Sequence, residues 1–281
     1  MSLTRLFVWF QHLLPQHALS RLVLRATRVR APWLKNALIR GFLKLYTIDM
    51  NEAAQIDPFG YGSFNEFFTR SLKADARTFA ADPHAIASPV DGTVSEAGKI
   101  DGDRLLQAKG RYYTLTELLA GRAWAKDFEG GSFATLYLAP YDYHRVHMPL
   151  RGQLRETVFV PGNLFSVNTA TASLVPRLFA RNERVLILFD TAFGEVALIM
   201  VGALNVGSIA TVWAGDITPA ARRAVTTLAP AAVALEKGAE LGRFNMGSTV
   251  ILLFQRDRAS WQTGLRSGAP LKWGQTLGVL K

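Results

Sequence analysis

Val196-Ala-Leu-Ile-Met-Val-Gly-Ala-Leu-Asn-Val-Gly-Ser-Ile-Ala-Thr-Val-Trp-Ala-Gly215 runs for twenty residues without a charge, enough to cross a bilayer as a helix. Its interior argues otherwise. Gly202, Asn205, Gly207 and Ser208 fall near the middle, flanked by β-branched residues such as Ile209 and Val212. That composition suits two buried strands joined by a turn, so a transmembrane span is rejected. Around it the same pattern recurs. Phe133–Leu138 (FATLYL), Leu154–Val160 (LRETVFV), Val185–Phe189, Val196–Val201, Ile209–Trp213 and Thr249–Phe254 (TVILLF) all read as strands, with a helix expected around Pro219–Leu228. The body from about residue 86 is therefore β-rich.

The N-terminal part is different. Leu3, Leu6, Phe7, Phe10, Leu13 and Leu14 recur at helical spacing until Pro15 interrupts. A second helical run follows from about Ala18 to Val29, with Arg21, Arg25 and Arg28 on one side. Pro32 opens a third that carries Trp33, Leu34, Phe42 and Leu45. Ser63-Phe-Asn-Glu66 has the form of a capping box, which predicts a short helix holding Phe64, Phe67 and Phe68.

Charge sharpens the division. The 281 residues carry a formal +10, yet residues 1–48 hold eight basic side chains and no acidic one, which leaves the remainder at +2. A nucleic-acid enzyme spreads its basic residues over the domain that handles the substrate, so no nucleic acid is expected as partner. Apolar helical faces beside arginine and lysine suit an anionic membrane surface instead. A helical layer packed on the main domain, with its charges merely solvated, is the alternative. Arg5, Gln11 and His12 break the first apolar run, so a signal peptide is not expected.

Cysteine is absent, which excludes disulfides, thiolate metal sites and a cysteine nucleophile. Five histidines remain for neutral-pH proton chemistry. His144 and His147 share the loop Tyr143-His-Arg-Val-His-Met-Pro149; no third ligand stands at metal spacing, so a proton-handling pair is expected and no metal. Ser88-Pro-Val-Asp-Gly-Thr-Val94 holds an Asp–Gly turn opening a strand. Asn245-Met-Gly-Ser-Thr249 precedes another, but Gly-Ser also occurs at 62–63, 131–132 and 207–208, and spacing cannot choose among them.

Taken together, FNEFFTRSL (64–72), SPVDGTV (88–94), APYDYHRVHMP (139–149), PGNLFSVN (161–168), NERV (182–185), VGALNVGSI (201–209) and KGAELGRFNMGST (237–249) closely resemble the phosphatidylserine decarboxylases, in family order. Met246 departs from the leucine of many members; the Gly-Ser-Thr core is intact. The resemblance implies a pyruvoyl-dependent proenzyme that cuts itself between Gly247 and Ser248, giving a β chain 1–247 and an α chain 248–281. Ser248 would attack the Gly247 carbonyl and end as the covalent pyruvoyl cofactor and Schiff-base site. His147 would be the base, with Asp91 fixing its tautomer, and His144 the proton donor in decarboxylation. A membrane-associated serine hydrolase using Asp91, His147 and Ser248, and a non-catalytic lipid-binding protein, are the alternatives.

The expected fold is α+β: a helical membrane-associating segment over residues 1–62, then a catalytic barrel or sandwich over 63–281. Resemblance further implies a homodimer of processed αβ units, peripheral on the cytoplasmic side of a bacterial inner membrane, with phosphatidylserine as substrate.

Overall fold

The computed structural model of the chain describes residues 3–79, 82–204, 208–218, 224–228, 232–246 and 248–281. Three helices lead: α1 (Leu3–Leu13), α2 (Gln16–Thr27) and α3 (Pro32–Leu45), broken at Pro15 and restarted at Pro32 as the prolines dictate. The short α4 (Phe64–Phe68) follows. Ser63 Oγ caps it by accepting from Glu66 N, whereas the Glu66 carboxylate accepts from Gly62 N, one residue earlier than a full capping box. Phe64, Phe67 and Phe68 pack with Ile39 and Phe42 of α3, so the leading helices share a small core with the start of the body.

Strands then dominate: β1 (Ala85–Ala87), β2 (Gly92–Lys99), β3 (Arg104–Ala108), β4 (Arg111–Thr114), β5 (Ser132–Tyr137), β6 (Arg145–His147), β7 (Gly152–Val160), β8 (Arg184–Thr191) and β9 (Gly194–Val201). Next come β10 (Ile209–Thr211), β11 (Gly215–Asp216), β12 (Thr226–Thr227), β13 (Ala234–Leu235), β14 (Glu240–Phe244), β15 (Thr249–Phe254), β16 (Ala259–Trp261), β17 (Pro270–Leu271) and β18 (Thr276–Leu280). The largest sheet runs β12-β7-β8-β9-β15-β5-β2-β17, with β13 also on β7. A second runs β11-β10-β14-β6, and a third β1-β18-β16.

Two expectations need correction. The large sheet ends at β12 on one side and β17 on the other, so it is open and no barrel closes among the described residues. The helix expected around Pro219–Leu228 lies partly outside the described residues; in the described part, Thr226 and Thr227 instead pair with Phe159 and Val158 of β7. Their β-branched side chains suit that edge better than a helix. The uncharged run Val196–Gly215 does hold two strands, β9 and β10, but in different sheets; Asn205 and Gly207 lie outside the described residues. Among the described residues no helix is long and apolar enough to cross a membrane.

The two larger sheets are related in a way that places the site. β9, β15 and β5 lie side by side in one; β10, β14 and β6 lie side by side in the same order in the other. The chain links them pairwise, β5 to β6, β9 to β10 and β14 to β15. A three-strand ribbon is thus divided across its width, with β5, β9 and β15 on one side and β6, β10 and β14 on the other. Its middle strand, β15, is buried along its whole length and bonded on both sides, from Thr249 against Tyr137 and Val201 to Phe254 against Ser132 and Val196.

Candidate active site

Ser248 stands at that division, one residue before β15. Its carbonyl accepts from Leu138 N at 2.8 Å, extending the β15–β5 pairing by one step. Its hydroxyl is buried with no hydrogen-bond partner among the described residues. Gly247 lies outside the described residues. Upstream, Asn245 is clamped from two directions. Its amide nitrogen donates to Ser208 Oγ (2.9 Å) and Asp216 Oδ1 (3.3 Å), while Asn65 Nδ2 of α4 donates to both Asn245 O and Oδ1 at 3.1 Å. Asp216 is ion-paired to Arg28 at the end of α2, so α2, α4 and Asn245 share one polar network.

The two histidines hang from the 138–147 stretch at the same division. His144 is fully buried, with Nδ1 2.8 Å from Asp142 O. A carbonyl only accepts, so Nδ1 carries the hydrogen and Nε2 is a bare lone pair, buried and without a partner. Burial pushes this imidazole down to about 3, against the pull of the Asp142 carbonyl. The Phe68 ring lies 4.2 Å from it, centroid to centroid. His147, on β6, donates from Nδ1 to Gly238 O at 2.8 Å, which sets its tautomer; its Nε2 accepts from the Tyr143 hydroxyl at 2.9 Å. Burial pushes it down to about 4. Both are therefore neutral at pH 7.

Asp91 is in the same region but not on His147. Its carboxylate accepts from Arg77 Nη2 (2.6 Å), from the backbone N–H of Trp273 (2.7 Å) and from Lys272 Nζ (3.4 Å). The link to His147 is indirect: the Trp273 ring that Asp91 holds by its backbone stacks on the His147 ring at 3.9 Å. Next to Asp91, Gly92 must be glycine, since a Cβ there would sit 2.2 Å from Tyr137 O. That close approach brings the 88–94 turn against the end of β5. The structure thus gathers the Asp91, His144/His147 and Ser248 segments at one place, and assigns the tautomer of His147 to Gly238 O rather than to Asp91.

Beside them lies a cavity of about 300 Å³, lined by Phe42 of α3 and Tyr46 just past its end, with Phe68, Leu138, Pro140 and Met246. Asp142, at the turn leading to His144, accepts from Ala139 N, yet burial raises its carboxyl to about 6. Among the described residues no group of three or more potential ligands could hold a metal ion. Sequence reading gave no role to Asn65, Asn245, Asp142 or Tyr143. Each sits inside a quoted motif, but what distinguishes it is burial and the partner the fold supplies: a distant one for Asn65 and Asn245, a near one for Asp142 and Tyr143.

The depressed histidines make acid stability a test of this geometry. Their folded values lie below 6.5, their ordinary value. Their stabilisation is thus complete above about pH 6.5 and is lost as pH falls toward 4 and 3. At pH 5 the loss is on the order of 2 kcal/mol per histidine. Asp142 acts in the opposite sense, its raised carboxyl favouring the fold at low pH, but returns only roughly 1 kcal/mol between pH 7 and 5. Glu183, whose carboxyl burial raises to about 7, also acts in that sense and returns roughly 2 kcal/mol. In urea unfolding the histidines are therefore expected to contribute a slope of stability loss that is read against these carboxyls. A His144→Gln/His147→Gln chain should lose most of this slope; an unchanged slope would mean the imidazoles are not buried as described.

Similarity to known proteins agrees with these motifs. A family model described as phosphatidylserine decarboxylase matches residues 64–279, and one described as PSD matches residues 6–47. The chain is 53% identical over 281 residues to the phosphatidylserine decarboxylase proenzyme of Azotobacter vinelandii, covering 98% of each chain. It is 51% identical to that of Methylococcus capsulatus, covering 98% of this chain and 96% of the relative. The Bordetella bronchiseptica proenzyme is 52% identical, with coverage of 98% and 94%.

Proposed function

The chain belongs to the phosphatidylserine decarboxylase family, and from that premise we propose that it is a self-processing enzyme converting phosphatidylserine to phosphatidylethanolamine. The observation that carries this reading is Ser248. A buried hydroxyl with no partner costs about 1–3 kcal/mol. This one stands in a gap between two sheets, and the neighbouring crossing from Leu138, which bonds the Ser248 carbonyl, leads to the two neutral histidines.

In the proposed processing, Ser248 Oγ gives its proton to a neutral imidazole and bonds to the Gly247 carbonyl carbon. The Gly247–Ser248 amide bond breaks, leaving an ester and a free Ser248 amine. Elimination then releases the Gly247 carboxylate. Hydrolysis with loss of ammonia leaves a pyruvoyl group at the head of β15. The site fits such a group, because residue 248 is anchored by its carbonyl while its side chain meets no other polar atom. When present, it supplies the electron sink for the carbon that loses CO₂. The fragment 248–281 stays held through β15 between β9 and β5, β17 on β2 and β18 on β1.

Proton traffic falls to the histidine pair. His147 is the proposed base for processing; its lone pair is engaged by Tyr143, so that hydroxyl must yield or relay the proton. His144 is the proposed donor in decarboxylation. A bare Nε2 can take the proton that the substrate ammonium sheds and return it to the carbon left by CO₂. The hydrolase alternative gains nothing from these contacts, since Asp91 does not reach His147.

The leading helices support docking on an anionic bilayer. α1 and α2 meet the body in part through polar residues: Gln11 and Gln16 are buried and accept from Ser166 N and Leu164 N. Val8 and Ile39 are buried, but many other apolar residues of the leading helices face outward, with Trp9, Phe10, Leu13 and Leu22 exposed and Trp33 and Leu45 74% and 76% exposed. Such a face, ringed by exposed Arg21, Arg25, Arg40 and Lys44, fits a peripheral enzyme whose lipid substrate need not leave the membrane. A homodimer on the cytoplasmic side of an inner membrane rests on the family resemblance alone.

Purified protein supplied with phosphatidylserine vesicles is expected to release one CO₂ per phosphatidylethanolamine formed, and to lose this activity to phenylhydrazine, which blocks carbonyls. Release of fatty acid or free serine instead, untouched by phenylhydrazine, would move the assignment to a hydrolase.

A further inference from the structure

Two arginines are buried in the body with unlike surroundings. Arg184, 2% exposed, is saturated: it donates to the carbonyls of Glu117, Leu118, Ala180 and Asn182. Arg70, 5% exposed, is not. Its Nε and Nη1 are buried with no partner, and Nη2 reaches only the Tyr141 carbonyl at 3.5 Å, the outer limit of a hydrogen bond. Its basic neighbours are paired, Arg77 with Glu52 and Asp91 and Arg145 with Glu240. The Arg70 guanidinium lies over the Phe67 ring, 6.0 Å from the centroid, and Asp91 and Glu52 act on it only at longer range. A buried guanidinium keeps its charge, so these open donors have room for an anion that no described residue places in hydrogen-bond reach.

The position indicates which anion. Phe68, two residues earlier, lines the 300 Å³ cavity and lies against His144. Tyr141, whose carbonyl Arg70 touches, follows Pro140 of the cavity wall and packs its ring against Tyr46, also on that wall. Arg70 thus lies behind two segments that frame the cavity, on the side of the histidine proposed to handle the reaction's proton.

We infer that Arg70 binds the phosphodiester of the lipid head group, an assignment resting on the decarboxylase reading above. The substrate brings two anions, and they are not equivalent. The carboxylate loses its charge as CO₂ departs, so a guanidinium on it would hold the ground state more tightly than the transition state and slow the step. The phosphodiester keeps its charge from substrate to product. A cation there fixes the head group without opposing the chemistry, and an arginine with open donors suits phosphate oxygens.

The test compares processed wild-type enzyme with Arg70→Met, which keeps the bulk and removes the charge, and Arg70→Lys, which keeps the charge. Glycerophosphocholine offers a phosphodiester without a carboxylate or a reactive amine; N-acetylserine offers a carboxylate without phosphate. Binding of the first, followed by its phosphorus NMR signal, is expected to weaken at least tenfold in Arg70→Met and less in Arg70→Lys. N-acetylserine inhibition should not change. For phosphatidylserine in micelles, KM is expected to rise about ten- to hundredfold in Arg70→Met with kcat within about threefold, the signature of binding lost equally from ground and transition states. Loss of N-acetylserine inhibition with glycerophosphocholine binding intact would overturn the phosphate assignment, as would a fall in kcat at constant KM. Should Arg70→Met fail to fold, Arg70→Lys decides by the same two probes. No CO₂ from the wild type would defeat the decarboxylase reading itself; an active wild type whose probe binding ignores Arg70 defeats this inference alone.

Discussion

A Ser248→Ala chain is expected to stay whole at its full-length mass, while the parent separates into fragments 1–247 and 248–281, the smaller without a free amine. Decarboxylation should fall to background. The effect is total because one oxygen serves twice, first as nucleophile on the preceding carbonyl and then as the source of the carbonyl that drives the second reaction. The structure adds a control. The Ser248 hydroxyl has no partner, so its removal breaks no hydrogen bond and relieves an unmet polar group. Stability should therefore be unchanged or raised, by up to roughly 1–3 kcal/mol. An intact, stable and inactive variant isolates chemistry from folding. A parent that also remains a single chain, freshly folded and supplied with membrane, would sink the self-cleavage proposal.

The second large effect concerns the histidines, whose roles should separate by readout. His147→Ala is expected to remain mostly uncleaved. His144→Ala is expected to cleave yet decarboxylate about 10²- to 10⁴-fold more slowly, the usual contribution of a placed acid or base. The fragment pattern on a gel and CO₂ release from the same samples check both. The contacts make the opposite outcome informative. His147 Nε2 is engaged by Tyr143, whereas His144 Nε2 is bare. If His144→Ala stays whole and His147→Ala cleaves, the free lone pair on His144 is the base for Ser248, and the two assignments exchange. Tyr143→Phe should then leave processing untouched; under the assignment proposed here it changes the rate, because it removes the group that occupies the base.

Much of the fold was legible from local pattern. The prolines at 15 and 32 set the helix breaks, Ser63 capped α4, and the apolar runs at 133–138, 154–160, 185–189, 196–201 and 249–254 all became strands. Each depends on neighbours a few residues away, where spacing and backbone preference act directly. The failures share a cause. The stretch near residue 226 took its state from pairing with β7, and the open edges of the large sheet depend on which strands meet across the chain.

The same division runs through the site. Motifs alone nominated Asp91, His144, His147, Gly247 and Ser248 as candidates, and a lopsided charge set the leading helices apart. Composition by itself removed thiol chemistry. Folding decided the rest: that Asp91 holds Arg77 and Trp273 rather than His147, that Gly238 O sets the His147 tautomer, and that Arg70 is left with open donors while Arg184 is saturated. It also decided that the leading helices turn glutamines inward and tryptophans outward. A residue's chemical type is written in the chain. Its protonation, its free lone pairs and its unmet charge depend on which groups surround it once water has been excluded, and those groups come from segments up to 188 residues apart, as Arg28 and Asp216 do.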